Sequence, residues 1–471
     1  MTDVQIYIKT SCETCLLISE LLVELFERKG VEIINQEATP IPGLEDAFLD
    51  ADLERSFNAK VEAVPTVILN PDKANEVRLQ GWVRHEWTEV FGEFAHEHLP
   101  NFKPGCASKT LDPGRFEQLQ AAFEPERIQS RRLTFTNVDD IEVGYDRGWS
   151  DGLPVVPPTA ARVHRMLSGT NRQPDEVIGR VPPDYGVCTV EKIAVNAVLA
   201  GCLPEYLPVV IAAVEAALEE PFCMHGLLAT TYFSGPMVVV NGPYSRAIGM
   251  NSGGNALGQG NRANATIGRA LQLVIRNVGG GKPGGVDRSA LGNPGKYTFC
   301  FSEDELNSSW DSLSVERGYS PDASTVTLFA ADGVQGIVDQ KSRDPESLAR
   351  SFAAALRVVG HPKFVRASDA FLVISPEHER VFRDAGWSKQ QLIERLTGLL
   401  TIRGSELIRG AGGMEEGLDP KLKDHSFTKF REGGLFIVRA GGNAGLFSAI
   451  IAGWGASGEI GSVPVTKEIR L

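Results

Sequence analysis

The spacing of apolar and polar positions divides this chain into three stretches of different character. In the first, Val4–Ile8 is β-branched and alternating, the signature of a strand, and 16–26 carries leucines at helical spacing until Gly30 stops the run. A second strand is expected over 31–34, a short helix around 52–57 and a strand over 63–69 that contains Pro65. A strand near 77–79 and an amphipathic helix over roughly 84–97 follow, so the order is βαβ and then ββα. Residues 98–134 show no sustained apolar period and carry Pro-Gly pairs and a charged run, which reads as a connector, with Cys106 in it as an exposed bystander.

From 135 onward the pattern becomes that of alternating buried strands and long apolar helices. Helices are expected over 193–200, Leu207–Leu218, 263–277, 348–359 and 389–400. Buried strands are expected over 236–240, 325–330, Ala370–Ile374 and 435–438. The fold class is therefore α/β: a small N-terminal domain (1–97), a linker (98–134) and a larger α/β domain (135–320 and 321–471), with an arrangement in two halves left open.

Composition narrows the partners rather than the fold. The chain has 471 residues, 42% hydrophobic and 23% charged, enough apolar surface for full cores. A formal net charge of −13 with no basic run argues against nucleic acid or an anionic membrane as main partner. No apolar stretch is long and uninterrupted enough to span a bilayer, and the first residues lack the order of a signal peptide, so a soluble, cytoplasmic protein is expected. Seven scattered cysteines make no disulfide scaffold. The eight histidines show no ligand spacing, 96–98 reads as a solvated helix end, and neither a metal nor a cofactor is expected.

Cys12 and Cys15 form the one C-x-x-C, between the first strand and the first helix. With Val64-Pro65-Thr66 opening a later strand, the order resembles the thioredoxin/glutaredoxin fold, in which a cis-proline faces the cysteine pair. The resemblance implies a substrate contact at Pro65. Unpaired N–H groups at a helix start lower a thiol's pKa, so Cys12, nearer that start and expected to be the more exposed, would attack and Cys15 would resolve. Glu13 between them should raise the pKa of Cys12. The alternatives are a degenerate fold kept for docking, or a chance pair.

In the large domain, the loop and helix start over 251–269 is the main candidate. A Gly-rich loop offers N–H groups, Arg262 and Arg269 offer forks for a carboxylate or phosphate, and Asn251, Asn255, Asn261 and Asn264 donate and accept. The competing reading is a structural loop whose Asn and Gly residues serve turns. A second candidate is Cys188 with Glu191, Lys192 and Asn196, an activated thiol with proton carriers, against Thr189 as a helix cap and Cys188 as a small apolar residue. Lys296, Thr298 and Cys300 are expected on one face of one strand, and Asn443 lies in a second Gly-rich turn. Cys202 reads as structural, and Cys223 lies near His225.

The stretches 146–158, 189–204, 251–269 and 294–300, together with the tail 440–466, resemble an uncharacterised bacterial family, the UGSC (seleno)proteins, named for a selenocysteine-Gly-Ser-Cys motif. The chain itself contains neither UGSC nor CGSC. The resemblance implies a thiol or selenol context and carries no activity with it.

The expectation is an oxidoreductase in which Cys12 and Cys15 deliver electrons to a small anionic substrate in the large domain, with Cys188, Cys223 or Cys300 as a further thiol. A thioredoxin reductase or a glutathione system would supply reductant, and the apolar helices are compatible with a homodimer. A thiol-dependent lyase or hydrolase with a docking N-terminal domain, or a redox-sensing binding protein, is the alternative.

Overall fold

Val4–Ile8 lies at the centre of a five-stranded sheet ordered Phe48–Leu49, Val31–Asn35, Val4–Ile8, Thr66–Leu69, Val77–Gln80. A central strand is covered on both faces, which is why Ile6, Tyr7 and Ile8 are all buried. The first three strands run parallel and the last two pairings are antiparallel. This computed structural model describes residues 4–136, 138–454 and 461–471, so residues 455–460 of the tail named above lie outside the described residues. The chain groups into two units, residues up to 128 with 160–164, and residues 129–159 with 165–471.

In the first unit the leucine run after the cysteine pair is two helices, Glu13–Leu17 and Ser19–Phe26, with the break at Ile18 (φ −99°, ψ 18°). Leu21, Leu22 and Leu25 enter the core beside Ile6, Ile8 and Trp87. The helix expected to reach residue 97 is Arg84–Phe91, because Gly92 takes a positive φ of 85° and ends it. The stretch read as a connector has its own elements. Phe102–Lys103 pairs with Trp82–Val83, and Cys106–Ala107 pairs antiparallel with Ala63–Val64. The helix Arg115–Phe123 buries Leu119 against Leu53 and Phe57. Two-residue strands are too short to carry a period, so only their partners reveal them.

The second unit is organised on a seven-stranded mixed sheet ordered Cys300–Ser302, Gly235–Asn241, Thr325–Val338, Phe447–Gly453, Ala370–Ile374, Leu435–Arg439, with Val465–Glu468 added to the long third strand. Strands from both sides of residue 320 thus share one sheet. Thr325–Val338 shifts register between Ala331 and Val334 and passes from Gly235–Asn241 to Phe447–Gly453 as its antiparallel partner. Leu207–Leu218 is apolar almost all round and correspondingly buried. Side-chain oxygens of Thr189, Asn261, Asp344, Ser375 and Ser388 cap the helices that follow them. The architecture is mixed α/β. Among the described residues no helix is long and apolar enough to cross a membrane.

Candidate functional site

Cys12 is the N-cap of the short helix Glu13–Leu17, and its sulfur accepts the Cys15 backbone N–H at 3.4 Å. The Val64–Pro65 peptide is cis, and the Val64 carbonyl lies 3.3 Å from Cys12 Sγ. A third sulfur joins them. Cys106 stands opposite Val64 in the antiparallel register, on the strand that covers the carbonyl facing Cys12, and is near enough to Cys12 for each thiol to shift the other. The Cys15 side chain, helped by Cys106 and by the N–H groups of Cys15 and Thr14, outweighs burial and lowers the Cys12 thiol to about 5. Burial is the main cause that drives the Cys15 thiol far up, and it also raises Cys106. Of the three thiols, Cys12 is thus the one whose ionised form is favoured, while those of Cys15 and Cys106 are disfavoured.

Two expectations about this pair change. Cys12 is not exposed: it and Cys15 both have 0% of their surface open, while Cys106 is half-buried. Residues 102–107 lie against the turn, with Thr14 Oγ1 donating to the Pro104 carbonyl at 2.6 Å and Lys103 3.4 Å from Glu13. Glu13 is 83% exposed at its side chain and pairs with Lys103, and it is not among the main causes of the Cys12 shift. Nor is Cys106 a bystander. Beside Thr10 and Ser11 opens a cavity of about 770 Å³, walled also by Gln36, Glu37, Lys109 and Arg115.

In the second unit the polar side chains of 251–264 are engaged with one another. Asn251 donates to the Gly254 carbonyl and accepts from Gly253 N, and Asn255, at φ 61°, donates to Gln259 O. Asn261 caps the helix Arg262–Asn277 and donates to Gly249 O, while Asn264 donates to Asn251 O and Ala256 O. Arg262 Nε donates to the Gly201 carbonyl. Arg269 holds Asp151 in a two-pronged pair at 2.7 and 2.9 Å and also reaches the Leu153 and Pro154 carbonyls. Burial pushes the Asp151 carboxyl up, and Arg269 with nearby N–H groups outweighs it, leaving it below its ordinary range. These residues build the loop: the Asn side chains and Arg269 are tied to its own backbone or to Asp151, and Arg262 is tied through Nε.

The second candidate is likewise structural in its bonding. Thr189 is the helix cap, accepting from Lys192 N. Glu191 is buried and accepts the backbone N–H groups of Gln129 and Ser130, both at 2.9 Å. Lys192 Nζ donates to the Val187 carbonyl, and Asn196 bridges Lys192 O and Asn277. Burial pushes the Cys188 and Cys202 thiols up to about 12, and raises Cys300 as well. They are protonated thiols, ill suited to attack. His225 meets Tyr185 at 3.1 Å, and Asn443 accepts from Arg380. Lys296 ends the 3-10 turn Pro294–Lys296, whereas the strand is only Cys300–Ser302, so Lys296, Thr298 and Cys300 do not share a strand face.

Lys296 nevertheless lines a cavity of about 510 Å³, together with Ser234, Gln272, Arg276, Asp287 and Asn293. Lys296 Nζ is 2.9 Å from Asp287. Arg276 Nε and Gln272 Nε2 are buried and have no hydrogen-bond partner among the described residues. Two buried N–H groups left unpaired each cost about 1–3 kcal/mol, so they mark a place where an acceptor belongs. Sequence reading stopped at Arg269. The signal lay on the same helix, where Arg269, Gln272 and Arg276 recur at helical spacing along one face.

His96 and His98, expected not to converge, do so with Glu20: one ligand atom from each lies within 4.8 Å of the others. Glu24 also reaches His96 at 3.2 Å, and Glu20 and His98 are exposed. No family model matches this chain, and no curated protein or solved structure matches it.

Proposed function

We propose that this protein is a thiol–disulfide oxidoreductase. Its first unit is read as a thioredoxin/glutaredoxin-like module working through Cys12, and its second unit as the receptor of a small anion. The observation that carries the redox reading is the stabilised Cys12 sulfur. It accepts the Cys15 backbone N–H at 3.4 Å, lies 3.3 Å from the carbonyl that precedes a cis-proline, and has its thiol lowered chiefly by the nearby Cys15 side chain. The parallel-then-antiparallel strand order around Val4–Ile8 supports the same reading. In this reaction Cys12 attacks a target disulfide, Cys15 displaces the product thiol, and two electrons pass to the target. The UGSC-like stretches of the second unit are in keeping with a thiol setting.

The anion is placed in the cavity at Arg276 rather than at the Asn-rich loop, because Arg269 and the loop's Asn side chains are engaged whereas buried Gln272 Nε2 and Arg276 Nε have no partner among the described residues. The class expected there is a small carboxylate or phosphate able to accept from a guanidinium and an amide at once.

Turnover of a low-molecular-weight disulfide by the full chain with a dithiol reductant tests the first part; full activity in Cys12→Ser would overturn it. For the second, a panel of phosphate, acetate and a dicarboxylate should raise the melting temperature of the native protein by mass action. Loss of that rise in Arg276→Leu is expected, and an equal rise in both proteins would remove Arg276 from the reading.

A further inference from the structure

We propose that Cys106 is a third redox residue of the site, forming with Cys12 a disulfide that alternates with Cys12–Cys15. The inference rests on the reading of Cys12 as the exchanging thiolate and adds a partner that the C-x-x-C spacing does not contain.

The geometry comes from the segment 102–107. Cys106 is paired across from Val64, whose carbonyl lies 3.3 Å from Cys12 Sγ, so the register sets Cys106 and Cys12 beside the same residue. The segment is fastened on both sides of Cys106: Thr14 to Pro104 O at 2.6 Å before it, and Lys9 Nζ to Ala107 O at 2.7 Å after it. Close glycine packing adds to this. A Cβ on Gly105 would fall 2.9 Å from the Val64 carbonyl, and one on Gly81 would fall 2.7 Å from Gly105 N. Cys106 is thus held beside Val64, and so near Cys12, by backbone on either side. Among the three sulfurs it is also the one with surface open to solvent, Cys12 and Cys15 being closed.

That difference decides the order of events. A resolving thiol must lose its proton before it attacks. Cys15 is deeply buried and its thiol is held strongly protonated, whereas half-buried Cys106 can release a proton to water. Cys12 thiolate attacks one sulfur of an external disulfide, R–S–S–R′, and R′S⁻ leaves and takes a proton. Cys106, deprotonated, attacks Cys12 Sγ of the mixed disulfide and expels RS⁻, which is protonated in turn. The Cys12–Cys106 bond has formed, and two thiols have given two electrons to the target. Cys15 then attacks Cys12, passes its proton to the departing Cys106 sulfur, and the bridge moves to Cys12–Cys15 with no net redox change.

The test uses the full chain, glutathione disulfide as oxidant, quenching with a maleimide at successive times, and peptide mapping without reduction. In Cys15→Ser a Cys12–Cys106 linkage should accumulate. In the native protein it should appear early and give way to Cys12–Cys15. In Cys106→Ser the Cys12–glutathione adduct should persist about tenfold longer before Cys15 resolves it. A Cys15→Ser protein that stays as the glutathione adduct with Cys106 open to maleimide overturns the role of Cys106. If the native protein meanwhile forms Cys12–Cys15, the exchange reading stands without it. A native protein that forms no disulfide at Cys12 at all overturns both. Should Cys15→Ser not fold, the adduct lifetime in Cys106→Ser decides: equal lifetimes in it and the native protein reject the proposal.

Discussion

Arg269 and Cys12 illustrate how far a residue's role depends on which partners reach it. Arg269 looks from its spacing like a free fork for an anion, yet its guanidinium is spent on Asp151 and on two carbonyls, with both charged side chains nearly closed to solvent at 13% and 11%. A lysine in its place cannot span these acceptors. Arg269→Lys is expected to cost about 3 kcal/mol of stability in thermal melts, in line with a buried charge losing its partner. Anion-induced stabilisation at Arg276 should survive in the same variant. A silent substitution, or one that abolishes anion response without a stability change, would return Arg269 to the binding role. For Cys12 the expectation is a titration. With the thiol lowered to about 5, thiolate is the main form above that pH and is lost as pH falls through it. Thiolate ultraviolet absorbance should therefore be constant from neutral pH down to about 6 and halve near 5. The midpoint should rise in Cys106→Ser and rise further in Cys15→Ser, since Cys15 supplies the largest stabilising bond. A midpoint near 9 in the native protein would contradict the hydrogen-bonded arrangement.

Among the elements, the short strand Cys106–Ala107 matters most for the site and is the least visible in the sequence. It lies on Ala63–Val64 only because Gly81 and Gly105 let backbones approach closely. Gly105→Ala places a methyl against the Val64 carbonyl and should loosen the segment from the cysteine turn. Iodoacetamide labelling of Cys12 is expected to speed up about tenfold, the equivalent of about 1.4 kcal/mol of lost closure, while circular dichroism stays native. Unaltered labelling would mean that the segment does not govern access to Cys12. The long elements, by contrast, could be read directly. Val4–Ile8, Leu207–Leu218 and Ala370–Ile374 lie where their apolar runs put them, because alternating or unbroken apolar stretches of that length stand out against the turn residues that bound them. What stayed hidden depends on pairing between residues far apart in sequence, as with Cys106 opposite Val64 and Lys296 lining one cavity with Arg276. The Asn-rich loop misled for the opposite reason. Its residue types suit a ligand or a set of turns equally well, and only the hydrogen bonds distinguish the two.

At the scale of the whole molecule, the two units have separate hydrophobic cores. One gathers Ile6, Leu21, Leu22, Val67 and Trp82, and the second unit's gather Phe352, Leu372 and Ile437, and Met237, Phe301 and Phe371. Each unit has its own sheet, so each can close its backbone hydrogen bonds without strands from the other. Separate cores lead to separate cooperative transitions, since two-state behaviour belongs to a single core and fails for chains with more than one. Calorimetry of the reduced full chain should accordingly resolve two unfolding events. Leu22→Ala opens a cavity at a side chain with 0% exposure and should cost about 2–5 kcal/mol. For a unit of this size that corresponds to about 10 °C. Only one of the two events should move, and hydrogen exchange should assign it to residues below 128. Oxidation of the cysteine pair should shift that same event, because Cys12 and Cys15 belong to that core. A single transition that moves as a whole with Leu22→Ala would mean that the cores melt as one, and the redox state of Cys12 would then bear on the stability of every element in the chain.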